Sequence, residues 1–537
     1  MVRYSLGLDS STQSLSAVVL DIDSGEIVFE KSLDYLKDRR LKRFGINSDY
    51  IIPPRVDGEA DQPPQMHFAS LDAMFSSMKR ELGRKFMGDI VVVNNSGQQH
   101  GFSCFNSDAE SGFNSLFDEE SSKKNLVEIL GGCLSYETTP IWKTSCTKNE
   151  AGEMRDRVGG KQRMIELSGS NSPLRFSGAK IRWIGKHFPD EYRKTRKIHL
   201  IGNEIPAILT GDLNIGCDYS NACGMSLMDY NGRKWSPELL DAVSKGLPGE
   251  ESRLRNKLPA LVAPDSIVGN VSRYFVRKYG FNKNCEVVAG SGDNPQSKVL
   301  VNGDLLSLGT SFVFMVDGDK LDMNGNANAM YDGVGRPFNF GCRTNGGMTW
   351  DKVKGLHGIS KENYEPVREA LRNALVGSER MLFWQPDNES FPRSERFDIH
   401  RVNYGMLNLV DDYNGIVESS LAAVYIHSKG FSKETSEPLY VTGGPTESYE
   451  VMRRVAAIWN RPVIPISAGG AALGAAVAGA SSYLRKNNTP VSVEDLNRNV
   501  MKMGEVIEPD LGDVSAYHLE GSGYLDRFEK EEKKLLR

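Results

Sequence analysis

The feature that most constrains this chain is a hairpin written twice. The sequence opens with a strand pattern at Tyr4–Leu8, a small polar turn at Asp9–Ser14 and a returning strand at Ala17–Ile22, and the Asp23–Gly25 turn leads to a third strand at Ile27–Glu30. The unit recurs about 300 residues later as Leu305–Leu308, Gly309-Thr310-Ser311 and Phe312–Val316. That interval is too long for a solenoid and predicts a duplicated α/β domain. With 537 residues the chain also exceeds one hydrophobic core, since cores stop growing near roughly 250–300 residues. The junction falls near Asn284, dividing the chain into domains 1–284 and 285–537.

Two further strands frame the argument. Asp89–Val93 runs into Asn94-Asn95-Ser96-Gly97-Gln98-Gln99-His100-Gly101, and Glu286–Ala289 into Gly290-Ser291-Gly292-Asp293-Asn294-Pro295. In open α/β folds ligands gather at loops that leave the carboxyl ends of strands, so both loops are candidates for one shared site. Gln296–Asn302 reads as a short helix, and residues 31–66, with the basic run Lys37–Arg43, as an excursion over the first domain. The stretch from Pro462 to Leu484 is long enough for a membrane span, yet its small residues and two prolines predict a strand followed by a close-packed helix. Asp526–Arg537 reads as a charged helical tail on the surface.

Composition narrows the function classes. Hydrophobic residues at 39% and charged residues at 25% describe a globular chain, and 65 Lys+Arg against 70 Asp+Glu leave a formal charge of −5. No global positive field draws it to nucleic acid or to an anionic membrane. The seven cysteines form no CxxC pair and no Cys/His cluster at metal spacing, and the N-terminus lacks a signal-peptide pattern. A cytoplasmic, reducing setting is the expectation.

Neither GxxxxGK[ST] nor GxGxxG occurs, so a phosphate must be held by some other device. A tight hairpin tip is one, because successive backbone N–H groups make an anion-binding concavity and short hydroxyls add donors. Asp9-Ser-Ser-Thr12-Gln13 and Gly309-Thr310-Ser311 both have that chemistry; each alone reads first as an ordinary turn, and it is the matched pair that favours phosphate. A carboxylate at the first tip repels phosphate unless a cation intervenes, which makes Asp9 a candidate to hold Mg²⁺ directly or through water. Asp293 between glycine and Asn294 offers one carboxylate beside an amide, and Gln98-Gln99-His100 offers donors and acceptors for adjacent hydroxyls; plain loops account for the same letters. Tyr440–Gly443, Gly444 and Pro445-Thr446-Glu447 read as a strand, a double glycine against which a flat ring can lie, and a helix capped by Thr446.

The order DSSTQS, SGQQHG, RFSGAKIRW, GSGDNP, SLGTS, TGGPTES and AGGAALGAA resembles the FGGY carbohydrate kinases over residues 3 to about 484. The resemblance implies an α/β fold of two actin/hexokinase-like (ribonuclease-H-like) domains with an interdomain cleft, closing about a hinge, and implies ATP and Mg²⁺. It makes Asp293 the general base and places Gln99, His100, Arg175, Asp293 and Asn294 on the sugar. It assigns Thr12, Gln13, Gly309 and Thr310 to the phosphates, Gly443 and Gly444 to the adenosine, and, more loosely, Glu447 and Tyr364 to the adenine pocket. It places Asp9, the metal candidate, at the first phosphate hairpin. Gln98-Gln99-His100 and Arg175 resemble the branch that phosphorylates D-xylulose, in its longer eukaryotic-type form. Ribulose, another ketose or glycerol remains open as the acceptor, as does a member that binds sugar or nucleotide without catalysis. Arg453-Arg454 and Trp459-Asn460 depart from the family pattern near the nucleotide. A monomer or homodimer is the implied state.

Overall fold

The computed structural model describes residues 2–467, 469–489 and 491–536. They form two compact units, one made of Met1–Leu300, Met330–Pro337 and Gly469–Val500, the other of Val301–Ala329, Phe338–Ala468 and Met501–Arg537.

The first unit is built on β1 (Tyr4–Ser10), β2 (Ser14–Asp21), β3 (Ile27–Asp34), β4 (Ile90–Gly97), β5 (Glu286–Val288) and β6 (Ser291–Gly292). Their order is β3-β2-β1-β4-β5, with β6 also on β4 and Ile267–Asn270 outside β5. β1 runs antiparallel to β2 and parallel to β4. The two-residue period of a strand sets what each face can hold. Leu6 and Leu8 of β1 enter an apolar core with Leu15, Val19, Phe68 and Phe75. Ser5 and Gly7 face the other way and are small, which admits the Gly/Ala-rich helix Ala471–Lys486. Ser5 Oγ donates to Ala476 O at 2.6 Å and Asn94 Nδ2 to Ala475 O at 3.0 Å. A Cβ on Gly7 would overlap the backbone of Ala472 and Ala476.

Register then decides where the strands end together. Asp9 and Ser10 of β1 lie opposite Ser96 and Gly97 of β4, which in turn lie opposite Ser291 and Gly292 of β6. From Val287 to Ser291 the chain advances one residue more than β4 does, and Gly290 absorbs the irregularity at φ 76°. Three carboxyl ends therefore align. Helix α1 (Pro64–Asp89) covers the core side, α2 (Ser177–His187) follows the Arg175 loop, α3 (Ile201–Thr210) packs on β4, and α4 (Asp293–Lys298) starts at the end of β6.

The second unit repeats the plan with β7 (Leu305–Leu308), β8 (Phe312–Asp317), β9 (Pro337–Arg343), β10 (Leu439–Thr442) and β11 (Val463–Ser467), ordered β9-β8-β7-β10-β11 and extended by Lys502–Met503. Relative to its own first hairpin each sheet reads 3-2-1-4-5, so the duplication predicted from two turns extends to whole sheets. Helices α5 (Gly347–Leu356), α6 (Glu365–Asn373), α7 (Leu409–Ser428) and α8 (Tyr449–Trp459) enclose a core that includes Leu306, Phe314, Trp350, Ile416 and Val455.

Several expectations change in detail. The first unit runs past residue 284 to Leu300 and takes in 469–500, because β5, β6 and the helix Ala471–Lys486 complete its sheet and cover it. The short helix begins at Asp293 rather than Gln296, placing the candidate base at its first residue. Thr446 is not a cap: it lies in the 3₁₀ turn Gly444–Glu447, its hydroxyl donating to Gly443 O at 2.7 Å, and Ser448 precedes α8. The C-terminal helix Tyr524–Leu535 is no surface tail, since Tyr524, Leu525 and Phe528 are buried in the second core. Arg537 at the end of that expected tail, and Ala468 within the expected strand-and-helix stretch, lie outside the described residues.

Candidate active site

The aligned strand ends of the first unit gather two carboxylates. Asp9 accepts from Ser96 Oγ at 2.8 Å, and burial pushes its carboxyl up to about 6 against that bond. Burial and then the Asp9 charge push Asp293 up to about 7. Like charges raise one another's pKa in this way when few cations are near. The pair is a set of hard oxygen donors whose mutual repulsion a divalent ion would relieve, which fits Mg²⁺. No cluster of three or more His, Cys, Asp or Glu occurs among the described residues, so such an ion would keep water or ligand phosphates in its shell.

Asn294 ties the base loop to the Gln-Gln-His loop. Its side-chain Nδ2 donates to Gln99 Oε1 at 2.9 Å and to Asp293 Oδ1 at 3.2 Å, and its backbone N donates to the same Oδ1 at 2.9 Å. Gly292 is required here, since a Cβ would overlap Gln99 Cγ. Behind it, the buried Asp218 accepts from Ser291 Oγ at 2.7 Å, Asn203 Nδ2 at 2.9 Å and Asn221 N at 2.8 Å, which anchors β6. His100 sits at φ 70°, in the left-handed region that strains a residue with a Cβ. Its ring stacks on Phe176 at 4.3 Å and its Nδ1 lies 2.9 Å from Gly224 O. A carbonyl only accepts, so Nδ1 carries the proton and Nε2 is left as an acceptor. Burial, with Arg175 and Lys180 nearby, holds His100 well below its usual range and therefore neutral. Arg175, 5.8 Å from the Phe176 ring, completes the group.

At the first hairpin, Ser11 N donates to Ser14 O at 3.0 Å, leaving Thr12 and the exposed Gln13 at the tip. The Thr12 hydroxyl is already committed, donating to Gln98 Oε1 at 3.0 Å and accepting from Trp142 Nε1 at 2.8 Å. With that hydroxyl engaged, Gln13 is the exposed side chain of the tip. In the second unit Gly309 and Thr310 are exposed at their hairpin tip, and their carbonyls accept from Gly347 N at 3.0 Å and Met348 N at 3.1 Å at the start of α5.

Beside that second tip lies a cavity of about 400 Å³. Gly309, Thr310, Tyr364, Gly444 and Glu447 line it, and Gly443 does not. Gly443 works from behind: at φ 110° its Cβ would meet Leu308 C at 2.8 Å, whereas nothing lies within 4 Å of a Cβ on Gly444. Trp350, Val367, Leu371, Tyr413 and Val451 give the cavity apolar walls, with Asp351, Lys361 and Arg368 as polar residues. Arg368 holds Glu447 at 3.1 Å. Such a slot suits a flat heteroaromatic ring. These added wall residues lie outside any glycine motif, on α5 (Trp350, Asp351), α6 (Val367, Arg368, Leu371), α7 (Tyr413), α8 (Val451) and the loop at Lys361, and no local sequence signal marks them.

Arg453, Arg454 and Trp459 are absent from the cavity lining. Arg453 pairs with Asp513 at 2.8 Å, Trp459 packs edge-on to Phe314 and Tyr425, and the fully buried Arg454 bonds Asn414 at 2.9 Å and Leu371 O at 3.1 Å. Their departure from the family pattern is structural.

Two sheets of one topology, each opening on a hairpin with a small polar tip, are the plan of the actin- and hexokinase-like fold. Comparison with known proteins narrows this. The N-terminal domain of the FGGY family of carbohydrate kinases matches residues 138–299. Xylulose kinase 2 of Arabidopsis thaliana is 28% identical over 523 residues, covering 91% of this chain and 89% of that protein. The probable D-xylulose kinase A of Aspergillus flavus is 26% identical over 496 residues, covering 83% of each. The ligand-bound xylulose kinase from Lactobacillus acidophilus superposes with TM-score 0.78 at 18% identity, over 99% of this chain and 98% of that one, a likeness of fold. By these likenesses the chain is a sugar kinase similar to the FGGY family of carbohydrate kinases. Among the described residues no helix is long and apolar enough to cross a membrane.

Proposed function

We propose that this kinase transfers the γ-phosphoryl group of ATP to the terminal hydroxyl of D-xylulose, giving D-xylulose 5-phosphate and ADP. The observation that carries the reading is Asp293, a carboxyl poised near neutrality and tied through Asn294 to the Gln99–His100 loop. A base with a pKa near the working pH combines the right protonation state with proton affinity.

Asp293 takes the proton from the attacking hydroxyl as the O–P bond forms, a contribution of about 10²–10⁴-fold for a positioned base. His100 Nε2 accepts from one sugar hydroxyl, while Gln99, Asn294 and Arg175 supply donors to the other oxygens. The first hairpin offers the backbone N–H groups of Thr12 and Gln13, and the second those of Gly309 and Thr310, to the phosphates. Tyr364, Gly444 and Glu447 border the adenine, and Gly443 keeps that wall in place. Asp9 would hold Mg²⁺, and the ion when bound neutralises phosphate charge. Phosphoryl transfer asks for little covalent chemistry, so alignment by these groups supplies most of the rate. All seven cysteines are free thiols, which suits a cytoplasmic setting.

A coupled ADP-release assay on D-xylulose, D-ribulose, L-ribulose and glycerol tests the assignment. D-Xylulose is expected to give the highest kcat/KM. A preference for glycerol or either ribulose would overturn the sugar, and ADP release indifferent to all four would overturn the kinase reading.

A further inference from the structure

Behind the first hairpin lies a group of wholly buried polar side chains that the mechanism does not use. His67 and Glu204 are both 0% exposed, and His67 Nδ1 and both carboxyl oxygens of Glu204 lack a hydrogen-bond partner. An unpaired buried polar atom in a native core calls for a reason.

The donor and acceptor roles along this group can be worked out from one fixed end. Gln62 Nε2 lies 2.7 Å from two carbonyls, Thr12 O and Tyr50 O, so that atom is the amide nitrogen and Oε1 is the acceptor. Gln98 Nε2 donates to that Oε1 at 2.7 Å, which turns Gln98 Oε1 toward the Thr12 hydroxyl at 3.0 Å. Thr12 Oγ1 then accepts from Trp142 Nε1 at 2.8 Å. In the other direction His67 Nε2 lies 3.4 Å from the same Gln62 Oε1 and must donate. Burial holds His67 down to about 4, so the ring is neutral and its Nδ1 is a bare acceptor. The group facing that Nδ1 is Glu204, with Oε1 at 4.0 Å. Burial pushes Glu204 up to about 8, the Ser103 hydroxyl offsetting part of this, so at neutral pH it carries a proton to give. A movement of about 1 Å brings the two into hydrogen-bond distance.

We propose that Glu204 is a positioning residue: its neutral carboxyl donates to His67 Nδ1 and so fixes the direction of the His67–Gln62–Gln98–Thr12 chain that holds the first hairpin. Reversing the His67 tautomer would set two lone pairs against each other at Gln62 Oε1. The hairpin tip would lose the brace, made through Gln98 and Thr12, that aims its backbone.

Trp142 gives a reporter at the far end that is independent of catalysis. The chain has six tryptophans, so the uniformly ¹⁵N-labelled protein shows six indole N–H resonances, and Trp142→Phe identifies one of them. Glu204→Gln retains a donor and is expected to leave that resonance in place; Glu204→Leu is expected to displace it while the other five hold. If the leucine variant does not fold, Glu204→Met serves, since it keeps length without a donor. In the kinase assay the donor-less variant is expected to show kcat/KM for ATP lower by about tenfold, the glutamine variant to restore it, and KM for D-xylulose to stay constant. An unmoved Trp142 resonance in the folded donor-less variant, or equal displacement in Glu204→Gln, overturns the proposal. The kinetic arm rests on the hairpin's role with ATP and the spectroscopic arm does not. A displaced resonance with unchanged kinetics therefore refutes that role alone.

Discussion

Substituting Gly224 by alanine tests the sugar site through a residue that touches no sugar in the proposed arrangement. A Cβ at Gly224 would lie 2.5 Å from His100 Nδ1 and 2.7 Å from its Cε1, where ordinary contact begins at 3.4 Å. The imidazole must therefore move by about 1 Å, a displacement that costs about 100-fold when it misplaces a group bound to the reacting partner. It has nowhere soft to go: the opposite face is stacked on Phe176 at 4.3 Å, and any slide stretches the 2.9 Å bond to Gly224 O. Overpacking of this sort costs ~1–3 kcal/mol, and the lost hydrogen bond adds about 1 kcal/mol. Coupled ADP release should show kcat/KM for D-xylulose falling by about 10- to 100-fold, with KM for ATP within about twofold. In a His100→Ala background the same glycine change should cost less than about threefold, because the clashing ring is gone. Equal changes in both KM values, or an undiminished cost without the ring, would refute the reasoning.

Four further outcomes follow from the site and the core. Asp293→Ala should lower kcat by about 10²–10⁴-fold while leaving ATP affinity by titration calorimetry nearly unchanged; turnover within tenfold of the parent removes Asp293 from the base role. Because the base acts deprotonated and its pKa is raised toward about 7, kcat/KM for the sugar should fall on the acid side well above the ordinary carboxylate range, and a limb near about 4 contradicts this. Gly444→Leu should fill the open side of the 400 Å³ cavity and raise KM for ATP alone, so a shared rise in both KM values argues against a nucleotide slot there. Arg454→Ala should destabilise by ~3–5 kcal/mol in urea unfolding, since it strands the buried Glu418 that lies 3.5 Å from the guanidinium; a loss below about 1 kcal/mol refutes that account.

What the chain disclosed in advance was what depends on neighbours in sequence. A hairpin is local, so both turns and most strands were readable, and a double glycine before α8 marked the rim of a cavity. Asp293 and Gln99 could be singled out by residue type and loop position. Gln62, Trp142 and Gly224 could not, because their roles come from contacts 50, 130 and 124 residues away with Thr12, Thr12 and His100. The same reason explains the misjudged C-terminal helix. Its charges are conspicuous in sequence, but the buried stripe of Tyr524, Leu525 and Phe528 matters only against the core that receives it. Pro462–Leu484 is legible as a strand then a helix, while the division of strand and helix between different units is not.

That last division bears on how the protein is made. The sheet that bears Asp9 and leads into Asp293 is roofed by Ala471–Lys486, whose backbone receives the Ser5 hydroxyl and the Asn94 amide. A ribosome that has finished the first 300 residues has thus delivered every strand of that sheet but not its lid. Gly7, shaped for a close neighbour, must wait in water until more than 160 further residues emerge. Fragments ending before the lid should be recovered as aggregates or chaperone-bound chains, and adding the 469–500 segment in trans should rescue them.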